Sequence, residues 1–91
     1  MPRAITDPEE IRKFAHFLLR TANQLRSMRT DLLGKFNDLH DHWQDKKYDR
    51  FREMFTNTMN RLESFARESE DYAQYLHKKA QPLEDYLRHR Y

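Results

Sequence analysis

Asp38, His40, Asp41, His42 and Asp45 fall within eight consecutive residues, and these are the side chains whose types could do chemistry. Carboxylates and imidazoles so close together suggest a metal site. On a helix, Asp38 and His42 are four residues apart, as are Asp41 and Asp45, so each pair could offer two ligands. His40 and His42 point ~200° apart, and the spacing fixes no third ligand for a zinc-like site. A solvated helix end is therefore the expected reading, with the imidazoles near helix carbonyls that favour their protonated form.

Nucleophilic and phosphate chemistry find less support still. There is no cysteine, no glycine-rich phosphate loop and no Gly-x-Ser-x-Gly elbow. No metal, cofactor or catalytic residue is expected.

The element that positions this cluster is a corner, His42-Trp43-Gln44-Asp45-Lys46-Lys47. Long apolar repeats with helical spacing flank it. Asp7-Pro8-Glu9-Glu10 is a helix start. The Asp7 carboxylate can accept from the Glu10 N–H, Glu10 can reach back, and Pro8 gives up no hydrogen bond at the first helical position. Residues 1–6 before it form a short arm.

From there Ile11, Phe14, Leu18, Ala22, Leu25, Leu32, Phe36, Leu39 and Trp43 recur at threes, fours and one seven. They fall in a stripe ~120° wide on a helix from about residue 8 to 43. Gly34, the only glycine, lies roughly opposite.

Asp45 is the expected N-cap of the second helix. Its stripe, ~140° wide, comprises Tyr48, Phe51, Phe55, Met59, Leu62, Phe65, Ala66, Ser69, Tyr72, Ala73, Leu76 and Ala80. Pro82 should kink or end that helix near Gln81; in the tail over 82–91, Leu83, Tyr86 and Leu87 repeat the apolar pattern, so a last helical piece to about His89, swung out of line, is expected. The fold class is thus all-α: residues 1–91 form one domain, an antiparallel helical hairpin of about 8–43 and 46–81.

Composition agrees. The 91 residues carry 35% charged side chains and a formal net charge of +2, so neither half is an electrostatic tail. The N-terminus has no secretory signal pattern and no run could span a bilayer. The expectation is a cytoplasmic protein, or one exported without a cleaved signal.

Each stripe is too broad for one narrow seam. A lone hairpin leaves aromatic surface in water at ~25 cal/mol per Å². A second hairpin related by a two-fold axis would cover it, giving a homodimeric four-helix bundle. A related hairpin as partner satisfies the same physics. Ile11, Phe14, Leu18, Leu25, Leu32, Phe36, Leu39, Phe51, Phe55, Leu62, Phe65, Tyr72 and Leu76 are the expected core and dimer residues. Trp43 and Asp45 form the corner motif, with the indole packed near Tyr48 and Phe51.

A hairpin of this length with Trp at its corner resembles the WXG100 family of small early-secreted-antigen-like proteins. Their Trp-x-Gly falls on Trp43-Gln44-Asp45, with aspartate in place of the glycine. The Trp-x-Asp corner followed by Lys-Lys-Tyr-Asp-Arg-Phe is similar to a Gram-negative branch that forms homodimeric bundles. The family's Tyr-x-x-x-Asp/Glu export signal has no counterpart at Tyr72, Tyr75 or Tyr86, which Leu76, Lys79 and Arg90 follow four residues on. The resemblance implies a non-enzymatic dimer, secreted or acting as an adaptor for another protein.

Two other readings carry less. Lys46, Lys47, Arg50 and Arg52, with Arg88 and Arg90, could meet nucleic acid. The apolar stripes could open onto a membrane surface, in competition with dimerisation.

Overall fold

The computed structural model describes residues 6–89. Two helices account for nearly all of them: α1, Pro8–His40, and α2, Lys46–Arg88. They pack side by side as an antiparallel hairpin, 70 × 26 × 15 Å in extent. The Asp7 carboxylate accepts from the Glu9 and Glu10 N–H groups at 2.9 and 3.4 Å. Glu10 does not reach back to close the box; its carboxylate takes the Lys13 ammonium at 3.1 Å.

The two helices touch through small side chains. Ala15 and Ala22 on α1 and Ala66, Ala73 and Ala80 on α2 are fully buried, and Met59 nearly so. These residues repeat every seven positions, the period that keeps one narrow line of a helix facing a neighbour. Alanine on both sides lets the two backbones come close. Ser69 joins the seam and gives its hydroxyl to the Phe65 carbonyl at 2.9 Å, so its burial leaves no polar atom unpaired.

Two boundaries differ from the sequence expectation. First, α1 ends at His40 rather than near residue 43. The Asp41 and His42 N–H groups donate back three residues, to Asp38 and Leu39, tightening the last turn. Gln44 Nε2 donates to the His40 carbonyl at 3.0 Å, supplying a partner that no further helical turn provides. Secondly, α2 does not end at Gln81. It runs through Pro82 to Arg88, so the helical piece expected after the proline is present but continuous with α2. Pro82 forfeits one backbone hydrogen bond; Arg12, described below, holds the turn beyond it. The expected arm over 1–6 lies outside the described residues except for Thr6, as do Arg90 and Tyr91.

Gly34 sits within α1 with nothing within 4 Å of where a Cβ would stand. Gly34→Ala should therefore stabilise the chain by about 1 kcal/mol through helix propensity alone. A denaturant titration reads this as a raised midpoint with an unchanged slope.

Candidate interaction face

With the alanine line as reference, helical phase sorts the remaining side chains to two edges. The large apolar residues of both helices lie to one edge. Cross-helix charged pairs lie to the other.

The charged edge is built on two arginines of α1. Arg26 bridges two carboxylates of α2, with Nη2 at 2.5 Å from Glu70 Oε1 and 3.3 Å from Glu63 Oε1. Arg12 donates from Nε and Nη2 to the two Glu84 oxygens at 2.5 and 2.8 Å, and from Nη2 to Gln81 Oε1 at 3.1 Å. A third arginine, Arg29, donates from Nε to the Met59 carbonyl at 3.0 Å. The His16 and His77 rings meet edge-on at 5.1 Å across the seam.

The hydrogen bond from Arg26 holds the Glu70 carboxyl below the usual carboxylate range, and the Arg26 guanidinium is held correspondingly more basic. A carboxylate depressed in the folded state contributes stability that is present above its unfolded value. That contribution is lost as pH falls through the folded value. Acidification should therefore weaken the hairpin in that window, and Arg26→Met should flatten this part of the pH–stability profile measured by thermal melts. The effect is modest because these side chains keep solvent contact.

The apolar edge is open. Phe14, Phe65 and Tyr72 are 55%, 53% and 63% exposed. With Leu18, Tyr75 and Leu76 they line a groove of about 390 Å³. Phe17 extends it by stacking on Phe14 at 6.3 Å between ring centroids. Of the core and dimer residues named from the sequence, Phe14, Leu32, Leu39, Phe51, Phe65 and Tyr72 are exposed in this single chain. Ile11, Leu18, Leu25, Phe36, Phe55, Leu62 and Leu76 are half-buried. None of them forms the hairpin's fully buried line. Ala15 does, and the sequence reading left it out, although its spacing of seven from Ala22 was visible.

At the corner, Phe36 stacks on Phe55 at 4.5 Å and on Tyr48 at 5.6 Å. The half-buried Trp43 closes this cluster, its ring 5.6 Å from Tyr48 and 5.8 Å from Phe51. Asp45 caps α2 by accepting from the Tyr48 N–H at 2.9 Å. Its backbone is extended, at φ −145°, and no described residue has positive φ, so this corner does not require a glycine. Asp38, His40, Asp41 and His42 are all exposed, and the His40 ring lies 5.3 Å from Tyr48. Lys46, Lys47 and Arg50 are exposed beyond them.

Two long antiparallel helices, a tryptophan corner and one open aromatic face define a class of small helical-hairpin proteins. The sequence model of the WXG100 family, proteins of 100 residues with WXG, matches residues 4–86, and the chain belongs to that family. Type VII secretion system extracellular protein A of Staphylococcus aureus is a similar protein. In strains USA300, Newman and NCTC 8325 it is 27% identical over 78 residues, covering 86% of this chain and 80% of that protein.

Proposed function

We propose that the chain is a non-enzymatic protein-interaction module that lays its open aromatic face on the same face of a second copy. The exposure of Phe14, Phe65 and Tyr72 carries this reading. So much contiguous aromatic surface is what a partner covers. The face follows α1 for about 50 Å and is two helices, about 20 Å, wide. A second hairpin set along it covers on the order of 1,000 Å² per copy, enough for a stable association. Both copies present the same surface, so a two-fold axis closes the assembly as a four-helix bundle. A related hairpin is the alternative occupant.

The second part of the proposal is that this dimer is exported or serves export. Support comes from family membership and from the name of the Staphylococcus aureus relatives. Among the described residues no helix is long and apolar enough to cross a membrane. A nucleic-acid role has less behind it, because Asp45, Asp49 and Glu53 stand among the basic residues of the corner. The test is fractionation of the producing culture. The intact chain should collect in the medium while a cytoplasmic marker stays with the cells. Retention of both with the cells would remove the export reading and leave the dimer to be judged by itself.

A further inference from the structure

We propose that the last turns of α2, residues 82–88, form a detachable end of the helix, held in line by a clasp that Arg12 supplies from α1. Three observations converge on it. Pro82 has no N–H to give to the Lys78 carbonyl, so the backbone is weakened at this point of the helix. The side chains on either side of the proline, Gln81 and Glu84, are those that Arg12 grips. The grip is bidentate on Glu84, and Arg12 and Glu84 are each about 30% exposed, so the ion pair is partly shielded from water. One arginine thus spans the weak point and fastens both sides of it to the other helix.

Beyond the clasp one other side-chain bond crosses the proline, the exposed Gln81 Nε2 donating to Asp85 Oδ1 at 3.4 Å. Leu83 is half-buried, but Tyr86 is 68% exposed and Leu87 is exposed too. The final turn closes on the Asp85 carbonyl, which takes the His89 N–H at 3.0 Å and lies 2.8 Å from His89 Nδ1. With the clasp shut, 82–88 continues the helix. With it open, this segment unwinds as a unit and frees Leu83, the one half-buried apolar side chain it holds against the hairpin. The main hairpin, held by the alanine line, remains. The clasp forms within one chain, with or without a second copy.

Hydrogen exchange on the full-length chain tests it. Arg12→Met keeps the aliphatic stem and removes the charge. Exchange of the amides of 83–88 should then speed up about tenfold, while those of 50–75 stay unchanged. Glu84→Gln should act in the same direction. Adding Pro82→Ala to Arg12→Met should restore protection, because the missing backbone bond returns. Unchanged exchange at 83–88 in Arg12→Met overturns the clasp. Faster exchange along all of α2 also overturns it, because Arg12 would then hold the whole hairpin. Failure of Pro82→Ala to restore protection overturns the role given to the proline.

Discussion

Ala73→Leu should separate the two helices. Ala73 is fully buried, on the line of small side chains through which α2 meets α1. Leucine adds three carbons where two backbones run close. The hairpin cannot yield at one point without lifting the neighbouring contacts at Ala66 and Ala80. Overpacking of this kind costs about 1–3 kcal/mol, and more where the surroundings are rigid. That is a large part of the stability of a small domain. A thermal melt followed by helix circular dichroism should show a midpoint many degrees lower. Gln74→Leu, one residue away and exposed, is the control and should leave the melt nearly unchanged. Equal melts for the two variants would mean that the alanine line is not the close contact.

Leu62→Asp attacks the other layer. Leu62 is half-buried and lies on the side of the seam that turns toward the open face. In a bundle of two hairpins that position is interior, and a carboxylate there has no partner. The expected result is loss of the dimer and most of the helicity, at a cost of several kcal/mol. Size-exclusion chromatography and circular dichroism read the two losses separately. A variant that stays a folded dimer would show that Leu62 lies outside the interface.

Much of this architecture was legible in the sequence because helical periodicity needs only residue types. Ile11 to Leu39 and Tyr48 to Ala80 recur with helical spacing, and Asp7-Pro8-Glu9-Glu10 marks a helix start in four letters. Local rules give way where a tertiary contact bears on them. Pro82 signals a break between two helical pieces, yet α2 runs on without one, and Arg12, about seventy residues earlier in the chain, bonds to side chains on both sides of the proline. No local pattern contains that information. Trp43 fits the periodic stripe, but the helix stops at His40, and the Gln44 side chain donates to the His40 carbonyl.

The site was legible in a different sense. The sequence names the large apolar residues but does not say which of them the hairpin buries by itself. Apolar stripes invite the inference that the largest members meet first. Here the smallest do, because Ala15 and Ala22 oppose a row of alanines, and Phe14, Phe65 and Tyr72 are left on the outside. The cross-helix grips of Arg12 and Arg26 were not foreseen, since pairing across an antiparallel seam depends on its register.

Sedimentation equilibrium of the purified chain is the most direct test of the pairing of two open faces. The chain weighs 11.3 kDa. The expected result is a particle of twice that mass that persists on dilution until helicity and mass fall together. A helical, monodisperse particle of 11.3 kDa at the highest attainable concentration would contradict the account, since the groove around Phe14, Phe65 and Tyr72 would then stand open to water in a stable protein.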